Sequence, residues 1–96
     1  MVIVESIKPI SNAGNLRAFA TINISDKIRI HDVRIIQEAK KRAWVGMPSR
    51  AYEKDGQRKW APIVELLDKT LIQKISDAVL DEFSREVSRA PSVRVT

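Results

Sequence analysis

Cysteine is absent from this 96-residue chain, and histidine occurs once, as His31. The first absence excludes disulfides, a thiolate nucleophile and any thiolate metal site. The second excludes a multi-histidine metal cluster. No serine sits in a Gly-x-Ser-x-Gly elbow, so a hydrolytic nucleophile is missing as well. Three glycines in all leave no phosphate-cradling loop of the P-loop or dinucleotide type. No apolar run approaches the ~20 residues of a membrane span, and no signal peptide precedes the first strand. The expectation is a cytosolic (cytoplasmic) binding protein, not an enzyme, with no cofactor, no metal, no membrane and no small-molecule substrate.

His31-Asp32 is the one pair that invites a catalytic reading. Adjacent strand residues point to opposite faces, so imidazole and carboxylate cannot readily form a dyad. A hydrogen-bonded structural site at a bulge is the expectation, with Asp32 pairing with Arg34.

What is there reads first as strands. Residues 2–9 are rich in β-branched side chains, with Val2 and Val4 on one face and Ile3 and Ile7 on the other. After the turn formers at 11–15, Leu16, Ala18, Ala20, Ile22 and Ile24 alternate with Arg17, Phe19, Thr21 and Asn23. Period 2 marks a strand with one buried face. Ser25-Asp26-Lys27 reads as a tight turn. In the third strand Ile28 and Ile30 share one parity while Val33 and Ile35 share the other. That change implies a bulge near His31-Asp32, or burial on both faces. A short fourth strand covers 43–47. Lys54-Asp55-Gly56 carries a hairpin signal, and 59–65 returns as a fifth strand that Pro62 confines to an edge or ends early.

From Asp68, the expected N-cap, the period becomes helical. Leu71, Ile72, Ile75, Val79, Phe83 and Val87 form one apolar stripe. Pro91 is expected to end the helix near Arg89, leaving 90–96 as a flexible tail after a domain over 1–89. The fold class is therefore α+β: an antiparallel meander of about five strands with a C-terminal helix packed on it. One helix can hardly cover such a sheet, whose other face carries Ile3, Ile7 and Phe19. Dimerisation is the expected way to bury the remainder.

Charge is localised. Net charge is +5, and residues 40–59 hold Lys40, Lys41, Arg42, Arg50, Lys54, Arg58 and Lys59 against Glu53 and Asp55 alone. That stretch accounts for the whole excess, and residues 40–60 also carry Trp44, Tyr52 and Trp60. Lysine and arginine attract phosphate, while exposed rings stack on unpaired bases. Trp44 and Trp60 are more plainly read as core or dimer-interface residues, and Tyr52, placed in a loop, is the better stacking candidate. Arg50, presented at the sheet rim after Met47-Pro48-Ser49, is the sharpest candidate contact. The helix, with four basic and five acidic residues over 68–89, is no recognition helix.

Four segments together resemble the SpoVG family, the stage V sporulation protein G or septation regulators. They are His31-Asp32-Val33-Arg34-Ile35-Ile36, Trp44-Val45-Gly46-Met47-Pro48-Ser49-Arg50, Asp55-Gly56 and Ile75-Ser76-Asp77-Ala78-Val79-Leu80. Their order and spacing fit the family from about Met1 to Glu86. The resemblance implies a homodimer with an antiparallel sheet and a C-terminal helix. It also implies site-preferring binding to DNA, and to RNA in some members, in gene regulation. The family's basic residue after Met-Pro-Ser is implicated in nucleic-acid contact, and that role falls on Arg50. Ala51 stands where members often carry a second basic residue, with Lys54, Arg58 and Lys59 as the cations able to compensate. Residues 57–69 depart from the family pattern, and nothing is transferred there. A rival reading is a protein-interaction module that uses sheet edges and an exposed apolar face without binding nucleic acid.

Overall fold

The computed structural model describes the backbone of residues 1–94 and the side chains of residues 1–87. Six strands precede one helix: β1 (Val2–Pro9), β2 (Leu16–Ile24), β3 (Ile28–Ile36), β4 (Trp44–Gly46), β5 (Ser49–Lys54), β6 (Gln57–Pro62) and α1 (Lys69–Arg94). The first four form an antiparallel meander in chain order, and β5 and β6 pair only with each other. The α+β class and the C-terminal helix are as expected. The single five-stranded sheet is not: it divides into four strands and two. Residues 49–62 carry no alternating apolar face, so they have nothing to lay over the core and cannot extend the sheet profitably. Pro62 ends β6, as its missing N–H predicts.

The alternation in β2 translates directly into burial. Ala18, Ala20 and Ile22 are buried, and they meet Ile30, Val33 and Ile35 of β3 beneath Ile75 and Val79 of the helix. Between β2 and β3, Ser25 and Asp26 take φ of 55° and 56°, and the Lys27 N–H donates to the Ile24 carbonyl at 2.9 Å. Two positive φ values at the centre of this turn match the twist of the flanking strands.

Two bulges decide which residues face the core. In β3, Ala20 opposes Val33 and Ile22 opposes Ile30, so Thr21 faces both His31 and Asp32. Asp32 sits at φ 59°, and the parity change is a bulge at the expected place. On the other side of β2, Val4 opposes Ile22 while Ser6 opposes Thr21, which leaves Glu5 as an extra residue in β1. That second bulge corrects the sequence reading. It turns Ile7 inward, so Val2, Val4 and Ile7 all pack against the core while Ile3 stays exposed. The apolar content expected on the opposite face is thus smaller by one isoleucine.

Asp68 caps the helix, its Oδ1 accepting from the Thr70 N–H at 3.3 Å. The buried stripe is narrower than the spacing suggested. Ile75 and Val79 are buried, with Leu71, Leu80 and Phe83 packed around them, whereas Ile72 and Val87 are exposed. The helix runs through Pro91 to Arg94, past the expected end at Arg89. Proline removes one backbone donor, and here the loss falls in the final turn, where it interrupts little of the ladder. Of the tail expected over 90–96, residues 95 and 96 lie outside the described residues. Among the described residues, no helix is long and apolar enough to cross a membrane.

Candidate nucleic-acid interface

The β5–β6 hairpin stands beside the sheet rather than in it. Its base is tied at Pro48, whose carbonyl accepts from the Ile63 N–H at 3.0 Å and the Val64 N–H at 3.3 Å. Its tip is Asp55-Gly56, with φ of 54° and 74°, the two-residue turn predicted from that dipeptide. In between, Arg50 opposes Ala61, Ala51 opposes Trp60, Tyr52 opposes Lys59, Glu53 opposes Arg58 and Lys54 opposes Gln57. Directly opposed residues share a face, and alternate residues switch face.

The ribbon therefore has two unlike faces. One carries Arg50, Tyr52, Lys54 and Lys59 with Gln57 and Ala61, and no acidic residue. On it the Arg50 guanidinium carbon lies 5.9 Å from the Tyr52 ring centroid. The other carries Ala51, Glu53, Arg58 and Trp60. Arg50, Lys54, Arg58 and Lys59 make no ion pair among the described residues.

The eight candidate residues are thus sorted rather than gathered. Arg50, Tyr52, Lys54 and Lys59 share a surface, and Arg58 occupies its reverse. Lys40, Lys41 and Arg42 lie off the other end of β4. There Lys41 pairs with Glu38 at 3.1 Å, and Arg42 borders a hollow against Leu80 and Phe83 of the helix. Tyr52 and Arg50 both sit within β5 rather than in a loop or rim turn. The strand was missed because no apolar alternation marks it. Trp44 and Trp60 are 54% and 57% exposed, so neither is a core residue. Both remain open to a partner.

Arg34 is the residue that sequence reasoning misplaced. It does not turn to Asp32. Its Nη2 donates to the Ser49 Oγ and reaches the Met47 carbonyl at 3.5 Å, and its guanidinium carbon lies 5.7 Å from the Trp60 ring centroid. The bulge at Asp32 separates the two neighbours, and Arg34 points away from the core because Val33 and Ile35 point into it. That parity was the available signal.

A second charged cluster belongs to the sheet. Arg29 donates two hydrogen bonds to Glu5, at 2.6 and 3.1 Å, and the Asn23 amide donates another at 2.9 Å. These bonds, Arg29's first and Asn23's next, hold the Glu5 carboxyl down at about 2, and the same carboxylate raises the Arg29 guanidinium. Arg29 is thereby committed to Glu5 and is not a free cation for a ligand. Among the described residues no group of acidic or histidine side chains could hold a metal ion.

The family model described as SpoVG matches residues 1–85. The chain is similar to a SpoVG of Finegoldia magna, named as a candidate septation protein, at 30% identity over 87 residues. That alignment covers 91% of this chain and 77% of the relative. The like-named protein of Bacillus subtilis is 30% identical over 79 residues, 82% of this chain and 77% of its own. That of Agathobacter rectalis is 26% identical over 81 residues, covering 84% and 88% respectively.

Proposed function

The chain belongs to the SpoVG family, and on that premise we propose that it is a cytoplasmic, homodimeric regulator that binds DNA, or RNA, through its β5–β6 hairpin. Family membership makes the protein a non-catalytic one. The observation that carries the binding proposal is the acid-free ribbon face of Arg50, Tyr52, Lys54 and Lys59.

Each role follows from the side chain. Arg50 offers a planar fork to a phosphate, while Lys54 and Lys59 act as point charges along the backbone. Tyr52 presents a ring beside Arg50 on which an unpaired base can stack. A two-stranded ribbon also fits the major groove of a duplex, which is about 12 Å wide. Arg58, on the reverse face, and Lys40, Lys41 and Arg42, beyond β4, add long-range attraction without sharing this surface. A dimer brings two ribbons to one polyanion, which multiplies rather than adds affinity. Septation, the process in the relatives' names, is extended to this chain as part of the same proposal.

The test is a titration against duplex DNA, single-stranded DNA and RNA at two salt concentrations, with the oligomeric state measured by light scattering. Affinity should fall steeply with salt, and Arg50→Ala should reduce the log–log slope by about one unit per subunit. Binding that ignores salt, or an Arg50→Ala protein that binds as tightly as wild type, would refute the proposal.

A second reading has its own observation. A hollow of about 670 Å³ opens between β3 and the 63–71 segment. Ile28, Ile63 and Leu67 line it and are 55%, 63% and 90% exposed. Such a surface suits a protein partner. This reading expects no gel shift with any nucleic acid and co-purification of one specific protein.

A further inference from the structure

Resting on the nucleic-acid reading of the hairpin, we infer that Arg34 is a positioning residue: it sets the angle of the basic ribbon against the sheet and contacts no phosphate itself. A two-stranded hairpin is marginally stable alone. This one is exposed along nearly its whole length, with only Ser49 and Ala61 half-buried. Apolar packing therefore cannot fix where it points.

Arg34 can. Among the described residues, its side-chain hydrogen bonds and ring contact are those that join the four-stranded sheet to the hairpin. One planar group engages three places at once: the Met47 carbonyl just before the hairpin, Ser49 at the start of β5, and Trp60 on β6. Three such points define an orientation, whereas one would leave a hinge. Arg34 itself is rooted in β3, opposite Phe19 of β2 and Gly46 of β4, next to the buried Val33 and Ile35. Its contacts go to the ribbon face bearing Ser49 and Trp60, the reverse of the face bearing Arg50, Tyr52, Lys54 and Lys59. A brace on the reverse face leaves the binding face open. Trp60 is the second half of the device, since Arg58 also lies 5.7 Å from its ring centroid.

Holding a ligand-binding element in its bound orientation raises affinity by lowering the ordering cost of binding, with no contact to the ligand. The brace also leaves a signature that a phosphate contact would not. Counterion release counts phosphates touched, so losing a positioning residue lowers affinity equally at every salt concentration.

The experiment combines amide hydrogen exchange on the free protein with salt titrations on duplex DNA, single-stranded DNA and RNA. Arg34→Ala should speed exchange of the Ala51 to Trp60 amides while those of Ala20 and Ile22 stay as protected as in wild type. It should weaken nucleic-acid binding about tenfold, the scale of one charged hydrogen bond, without changing the salt slope. Arg34→Lys, which keeps the charge but not the planar fork, should fall between, and it serves if the alanine variant folds poorly. Trp60→Ala should behave as Arg34→Ala does, Trp60→Phe should retain most of the wild-type order, and the double alanine variant should be little worse than either single one. Unchanged hairpin exchange in both Arg34 variants would overturn the inference. So would a salt slope that drops by about one per subunit, because Arg34 would then be a contact. If the wild-type protein binds no nucleic acid, the functional reading fails, while the exchange data still decide whether Arg34 holds the hairpin.

Discussion

The Arg34 guanidinium carbon stands 5.7 Å from the centre of the Trp60 ring, across the gap between the four-stranded sheet and the hairpin. Arg58 approaches the same ring to the same distance from within the hairpin. Trp60 is thus approached by two of the protein's own cations, whereas Tyr52, on the other face, has Arg50 alone beside it. The unlike faces of the ribbon lead to the first prediction.

Lys59→Ala and Arg58→Ala remove neighbouring cations from opposite faces. Lys59→Ala should lower the salt slope of nucleic-acid binding by about one unit per subunit, while Arg58→Ala should leave it near the wild-type value. Equal slopes in the two variants would mean that the faces are not distinguished by the ligand. The measurement is a pair of titrations at several salt concentrations.

Asp32 lies at φ 59° in the bulge that re-aims β3. Glycine meets no Cβ penalty there, and a β-branched residue meets a large one. Asp32→Gly should be close to neutral in stability, whereas Asp32→Val should cost about 1–3 kcal/mol. Denaturant midpoints at matched slope would check both.

Glu5 is ionised in the folded protein down to about pH 2, because Arg29 and then Asn23 donate hydrogen bonds to its carboxylate. Its folded pKa lies below its ordinary value of 4.5. The stabilisation is therefore full above 4.5 and is lost as pH falls toward 2. Glu5→Gln should flatten the acid limb of the stability profile over that window and leave other limbs alone. Thermal melts across the acid range would show it.

Ile75 is buried in the core and Val87 is 45% exposed, although both lie on the helical stripe legible in the sequence. Ile75→Ala should cost about 2–5 kcal/mol through lost burial and the cavity left behind. Val87→Ala should change stability by about 0.5 kcal/mol or less. Chemical unfolding of the two variants tests whether burial, not spacing, sets the cost.

The amino-acid sequence by itself determined the features that depend on near neighbours. The period-2 pattern of β2, the tight turn at Ser25-Asp26-Lys27, the hairpin turn at Asp55-Gly56, the Asp68 cap and the parity break at His31-Asp32 are all local, and all are found where they were read. The family was legible too, because its segments are short and ordered. So was the concentration of positive charge in residues 40–59.

Only the tertiary structure decided what these elements meet. Nothing in Ile3, Glu5 and Ile7 announces that Glu5 is the extra residue that turns Ile7 inward, since a bulge is defined by the partner strand. β5 has no apolar period, so pairing with β6 is its only signature. The basic stretch looks continuous along the chain, yet strand alternation divides it and β4 separates Lys40, Lys41 and Arg42 from the rest. Arg34 was expected beside Asp32 and instead reaches Ser49, 15 residues away, and the Trp60 ring. Local sequence sets periods, turns and caps because these depend on a few adjacent torsions. Faces, braces and binding surfaces depend on contacts between distant segments, and folding settles those.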